Sequence, residues 1–274
     1  MIVPLVEMPD GSYETDFMGI KHNLKGEEEL KKMEKRIRNS GYYPYRTTQK
    51  EMEDLNSNPE KVDKLFLKLM KETLNRWLDI LEERLKGTGI KCYILPGNDD
   101  RLEIDEVIAK SDYVINPEGK VVEIDRHHEM ISSGYANITP WRCPRDIEED
   151  ELKKKIDAMA TQVKNMSNAI FCLHCPPYDT ELDIAPKLDK DLRPVIQRGG
   201  IVMIHVGCKA VREAVEQYQP LLALHGHIHE SKGASKIGRT LCLNAGSEYS
   251  EGILRGILID LDEKGFKNYM FTSG

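Results

Sequence analysis

Residues 220–230 read PLLALHGHIHE, an apolar run of strand length that breaks into alternating histidines at His225, His227 and His229. The chain holds eight histidines in 274 residues, so three within five positions is a concentration that core packing does not call for. Residues two apart on an extended segment point to the same side, so His227 and His229 are expected to converge on one place. Neutral imidazole is the commonest metal ligand, and a pair delivered at a strand end is the pattern such a site needs.

The same grammar occurs twice upstream, in NAIFCLHCPP (168–177) and IKCYILPGNDD (90–100). Each apolar run again ends in polar, metal-competent groups, His174 in the first and Asn98, Asp99 and Asp100 in the second. In open α/β folds, ligands bind in the crevice beyond the carboxyl ends of the strands. Imidazoles beside an amide or carboxylate oxygen suit a divalent ion of intermediate hardness such as Mn, Fe, Co or Zn. His174 alone reads as an ordinary hydrogen-bonded residue, and it gains weight from the other two strand ends. His22, His127 and His128 lack such a context and read as surface or edge residues. His205, on the apolar run IVMIHVG (201–207), reads as a buried neutral imidazole.

Around these three strands the chain alternates helix and strand. A hairpin with a Pro9-Asp10-Gly11 turn is predicted at the start, then a charged helix over about 26–39 stopped by Gly41 and Pro44. The longest helix should open at Asn58-Pro59 and run to Gly87, with Val62, Leu65, Phe66, Leu69, Leu74, Trp77, Leu78, Leu81 and Leu85 as a core stripe. Further helices are predicted near 102–111, 148–165 and 208–217, extended segments near 113–124 and 128–134, and consecutive strands in the C-terminal third with turns at Glu251-Gly252 and Lys264-Gly265. Strand–helix alternation with a β-rich tail predicts an α/β domain of two packed sheets with helices outside. No linker, repeat or low-complexity tract interrupts it, so a single domain over 1–274 is expected.

The net charge of -7, with basic residues dispersed among acidic ones, gives no nucleic-acid-binding signature. No apolar stretch is long enough to span a bilayer, so no membrane partner is expected. The N-terminus lacks the basic-then-apolar pattern of a secretion signal, and a cytoplasmic location is expected. The six cysteines fall in or beside apolar runs, as reduced buried thiols do. The CxxC of Cys172 and Cys175 has no second pair and reads as two small core residues rather than a zinc or redox motif.

PGNDD, LHCPP and HGHIHES, in that order and each in a strand-then-loop context, resemble the third, fourth and fifth motifs of the calcineurin-like metallophosphoesterase superfamily, of the small prokaryotic type. The GHxH element is the most specific. The terminal NAGSEYSEGILRG also resembles the segment after that loop. The resemblance implies two mixed sheets packed as a sandwich between outer helices (αββα). It also implies a hydrolase of phosphomonoesters or phosphodiesters built on two divalent ions (Mn, Fe, Co or Zn), with a small-molecule phosphoester as substrate. By position, Asn98, His174 and His227 would hold one ion and His229 would reach toward the other. Many members place a histidine after the motif's asparagine to protonate the leaving oxygen. Asp99 stands there in this chain and would serve as a catalytic acid only with a raised pKa.

The superfamily pattern begins with an Asp-x-His and then a Gly-Asp, and neither occurs upstream of Asn98. Those motifs supply the carboxylates, whereas Asn98, His174, His227 and His229 are all neutral. Burying cationic charge without compensation is costly, so one metal ion or none is expected here. The pattern is that of an N-terminally incomplete hydrolase, lacking the first strand and helix and impaired, with self-association through an exposed sheet edge. The alternative is a non-catalytic descendant serving as a scaffold or protein-binding module. Loops 135–150 and 176–198 are the expected selectivity elements, with Trp141, Arg142 and Arg145 as candidate contacts to a base or phosphate.

Overall fold

In the opening IVPLVE, Val3 and Leu5 alternate with residues of the opposite face, and the segment forms the strand Ile2–Glu7. It pairs antiparallel with Tyr13–Phe17 across the expected Pro9-Asp10-Gly11 turn, which the Asp10 carboxylate closes by accepting from Ser12. Ile20–Leu24 extends the sheet on one side, and Tyr43–Thr48 lies parallel to the first strand on the other. The crossover between them is the helix Gly26–Asn39, which covers one face with Leu30, Met33 and Ile37 against Val3, Leu5, Phe17 and Leu24.

The computed structural model describes residues 1–274 and divides into two compact units. The sheet just described belongs to Met1–Asp79 with Glu248–Leu254, and the second unit is Ile80–Ser247 with Arg255–Gly274. The longest helix spans Pro59–Leu85, and the Asn58 side chain accepts from Lys61 N at its start, as a cap should. Its predicted core stripe is realised in part, with Leu65, Phe66, Leu69, Leu81 and Leu85 half-buried and Val62 exposed. Only Met70, Leu74 and Leu78 are buried, and Trp77 is 55% exposed. Periodicity marks the apolar face of a helix but not how much of that face finds a partner.

The second unit is built on a six-stranded mixed sheet in the order 233–237, 240–244, 222–225, 170–173, 129–133, 121–123. The inner four strands run parallel and the two edges antiparallel. Helices Glu149–Ala160 and Lys209–Tyr218 cover one face, with Leu152, Ile156, Val211 and Val215 packed beside Phe171 and Ala223. On the other face, Met130, Ile170 and Leu222 meet Ile259, Leu261 and Phe266 of the hairpin Arg255–Asp262 and Gly265–Ser273, together with Tyr93. Mixed sheet, helices and a second strand layer give the α/β class the sequence predicts, with the second layer made of two-stranded pieces.

All six cysteines are free, Cys175, Cys208 and Cys242 being buried. Two histidine readings are corrected. His128 is 1% exposed and bonds Asp125, so it is buried rather than at the surface. His205 is more than a third exposed, because the apolar run Ile201–Val206 lies outside the core. Its Nδ1 bonds the fully buried Asp183 at 2.7 Å, and that hydrogen bond pushes its pKa up, opposite to a buried neutral imidazole.

Candidate metal centre

Strands 170–173 and 222–225 are parallel neighbours, so the residues after them emerge at the same end of the sheet. His174 follows the first, with its amide donating to Ser133 O and its carbonyl accepting from Gly226 N. Gly226 and His227 follow the second. The loop Pro96–Asp100 reaches the same place, closed by the Asp100 carboxylate accepting from Gly97 N at 2.7 Å.

Three atoms converge there. Asn98 Oδ1 lies 3.1 Å from His174 Nε2 and 3.1 Å from His227 Nδ1, and the two rings stand edge to face with centroids 5.1 Å apart. The orientation of the Asn98 amide is fixed by its other end, since Nδ2 donates to Asp146 Oδ1 at 2.9 Å. Asp146 Oδ2 in turn accepts from Thr139 N, Thr139 Oγ1 and Cys143 N. Asp146 is a site residue that sequence reasoning passed over. It lies 48 positions from Asn98, with no local pattern to connect them.

Glycine makes the approach possible. A Cβ on Gly97 would stand 2.9 Å from His174 Cε1 and 3.0 Å from Nε2, and one on Gly134 would overlap Pro96 O. The loop is thus wedged between the His174 ring and the Gly134 backbone, at distances that only a missing side chain allows.

His227 reaches the site by a different route from the expected one. The strand ends at His225, and His227 has φ 64° with Ile228 N bonded to Gly226 O across it at 2.7 Å. This tight turn replaces the extended segment from which a shared direction for His227 and His229 was argued. The loop is pinned by the buried Asn244, whose Nδ2 donates to Ile228 O at 2.9 Å. His229 lies close enough for its charge to bear on both His174 and His227. His225 is buried, with Nδ1 on Leu173 O at 2.9 Å, and is part of the core rather than the cluster.

Burial sets the protonation of the cluster. It pulls His174 down to about 3 and His227 down to about 4, so both rings are neutral near pH 7 with lone pairs available. Burial also falls on Asp100, whose carboxyl is pushed above the usual range, while Asp99 is exposed near the Cys143 thiol. The desolvation that would make a carboxyl a proton donor at this turn therefore acts on Asp100. Arg145, a candidate substrate contact from sequence, is fully buried. Its guanidinium bonds Asp105 and the carbonyls of Asp100 and Arg101, and its amide donates to Asn98 O. Trp141 is 61% exposed.

The donor set fits an ion in part. Two donors about 2.1 Å from one ion and about 95° apart are about 3.1 Å from each other, which is the spacing of Asn98 Oδ1 from each imidazole nitrogen. No carboxylate completes the set, and no group of three or more His, Cys, Asp or Glu side chains is placed to hold a metal.

No protein-family model matches the chain. An uncharacterized protein of Methanocaldococcus jannaschii is 35% identical over 153 residues, 55% of this chain and 61% of that one. A UDP-2,3-diacylglucosamine hydrolase of Proteus mirabilis is 27% identical over 145 residues, 53% of this chain and 55% of that one. The chain thus covers less than two thirds of the length of these relatives. A solved crystal structure with 17% identity shares the fold at a TM-score of 0.55, over 99% of this chain and 97% of that one. The Proteus mirabilis relative is named a hydrolase and the solved structure shares the fold, both in keeping with the resemblance to the calcineurin-like metallophosphoesterases read from the motifs. Asn98, His174 and His227 are the sequence-predicted site residues that the structure brings together. Asp146, Gly97 and Asn244 are the residues that hold them there. No helix is long and apolar enough to cross a membrane.

Proposed function

We propose that the chain carries the histidine half of a metal-dependent phosphoester hydrolase site. The convergence of Asn98 Oδ1, His174 Nε2 and His227 Nδ1 at the carboxyl ends of parallel strands carries this reading. Asn98, His174 and His227 would hold one divalent ion, with His229 turned toward a second. A bound ion supplies Lewis-acid polarisation of a phosphoryl oxygen and a more acidic water. The chain's own residues orient and desolvate. Asp146 aims the Asn98 oxygen, Gly97 admits the His174 ring, and burial keeps both imidazoles neutral. Asp99, exposed beside the site, would hand a proton to the leaving oxygen only where bound substrate buries it, since in the free chain the desolvation at this turn acts on Asp100. The substrate class is a small phosphoester.

One observation favours a second reading, a non-catalytic module of the same fold. The donors are neutral, and no carboxylate joins them. Calorimetric titration with Mn²⁺ and Co²⁺, alongside hydrolysis of bis(p-nitrophenyl) phosphate, separates the two. One ion bound per chain, lost in His174→Ala and His227→Ala, supports the hydrolase site, and metal-stimulated turnover extends it to catalysis. No saturable heat for either ion in the wild type would sink the metal-site reading and leave the binding module.

A further inference from the structure

Between Asp183 and Gly207 the second unit extends an arm of paired strands that the core does not use. Ile184–Pro186 pairs antiparallel with Met203–His205, and Ile196–Gln197 pairs with Gly200–Ile201 around a turn in which Arg198 and Gly199 both have positive φ. Such a turn makes a regular two-residue hairpin, so the arm is ordered structure rather than a stray loop. Its root is tied on both sides of the histidine loops. Ser231 Oγ donates to Ile184 O at 2.7 Å, Cys208 N donates to Pro176 O, and the buried Asp183 carboxylate accepts from Thr180 N and Gly207 N.

The arm is apolar where a soluble hairpin would be polar. Ile196 and Ile201 are cross-strand partners, 68% and 52% exposed, and Met203, two residues on from Ile201 and hence on the same face, is 47% exposed. Leu192, in the neighbouring turn, is 44% exposed. Contiguous apolar surface of this kind marks an interaction site.

Charge says what it meets. The whole chain carries 46 acidic residues against 39 basic ones, yet the arm reverses that balance. Lys187, Lys190, Arg193 and Arg198 stand against only Asp189 and Asp191, and all four basic side chains are exposed. None of them forms an ion pair within the chain, whereas the Asp189 carboxylate is occupied by the amides of Asp191 and Arg193. An exposed apolar tip rimmed by unpaired cations is the composition of an element that lies in a lipid interface and prefers anionic headgroups.

We propose that the 184–206 arm docks the protein on an anionic lipid surface, with Ile196, Ile201 and Met203 entering the interface and the four basic side chains facing the headgroups. Whole-chain hydropathy is blind to such an element, because it is short, alternating and far from the length of a span. The lipid contact does not depend on the hydrolase reading, since no metal donor takes part in it.

Co-sedimentation tests it, with vesicles of phosphatidylcholine alone and vesicles of phosphatidylcholine and phosphatidylglycerol in equal amounts. The wild-type chain should bind the anionic vesicles at least tenfold more tightly, and the affinity should fall with added salt. Ile196→Asp/Ile201→Asp should lose tenfold or more of it. Lys187→Ala/Arg198→Ala, at exposed positions where the melt should stay that of the wild type, should also lose roughly tenfold or more. Equal partition onto both vesicle types, or retention of binding in both variants, overturns the proposal. So does a dimer that Ile196→Asp/Ile201→Asp dissociates in the absence of vesicle binding, which would assign the face to a second copy of the chain.

Discussion

Asn98 and Asp146 link two loops: Asn98 Nδ2 donates to Asp146 Oδ1 at 2.9 Å, and this bond favours the amide orientation in which Oδ1, not Nδ2, faces His174 and His227. An amide turned the other way would present a donor to two imidazoles and could not coordinate a cation. Asp146→Ala should therefore weaken Co²⁺ binding by about tenfold to a hundredfold, the usual effect of removing a partner that orients a ligand. It also strands the amides of Thr139 and Cys143, so a loss of about 2–3 kcal/mol in urea unfolding is expected. Asp146→Asn keeps an acceptor and should lose less of both. Unchanged ion affinity in Asp146→Ala would show that Asn98 is oriented by something else.

Gly97→Ala is a steric counterpart that leaves every donor in place. Its Cβ would meet the His174 ring at 2.9–3.0 Å, so the ring or the loop must shift. The expected cost is about 1–3 kcal/mol of stability, as for other overpacked sites. The visible absorption of bound Co²⁺ should weaken or shift while far-ultraviolet dichroism stays unchanged.

What the sequence made legible is what depends on local pattern. The helix Gly26–Asn39, the hairpin at Asp10-Gly11 and the strands that end before Asn98, His174 and His227 are set by periodicity and turn chemistry within a few residues. What it hid depends on distance along the chain. Asp146 meets Asn98 across 48 positions, and the exposed state of Ile201–Val206 depends on the absence of a partner layer. An apolar run looks the same in sequence whether or not something covers it. The same limit explains Trp77 and His205, both assigned to the interior from their neighbours alone and both found exposed. His227 is a third kind of case. The structure brings it to Asn98 and His174, but through a turn at φ 64° rather than the extended geometry that the sequence pattern implies.

The bond between His205 Nδ1 and Asp183 Oδ1 makes stability depend on pH in a defined direction. The hydrogen bond to Asp183, with the nearby Asp179 charge, raises the folded pKa of His205 above its ordinary value of 6.5. A raised folded pKa means that the folded state binds the proton more tightly than the unfolded chain. The contribution is fully present below about pH 6.5 and is lost as pH rises through the higher folded value. Urea unfolding of the wild type and His205→Gln should therefore differ most on the acid side of neutrality and converge toward alkaline pH. A gap that widens with pH would reverse the assignment.

Arg145 ties the Asn98 turn to the helix that begins at Asp105. Its side chain is fully buried, paired with Asp105 at 2.9 Å, and donates to the carbonyls of Asp100 and Arg101, while its backbone amide holds Asn98 O. Removing the guanidinium strands the carbonyls of Asp100 and Arg101 and leaves the partly exposed Asp105 carboxylate without its partner, so Arg145→Ala should cost about 2–3 kcal/mol. Arg145→Lys should recover little of this, because one ammonium cannot reach two carbonyls and a carboxylate in the directions the planar guanidinium does. If the role is to hold the Asn98 turn, an added Asp105→Asn should restore part of the loss in Arg145→Ala by removing the stranded charge, while Co²⁺ affinity stays low. Full recovery of both stability and ion binding in that double variant would mean that Arg145 serves only to neutralise Asp105.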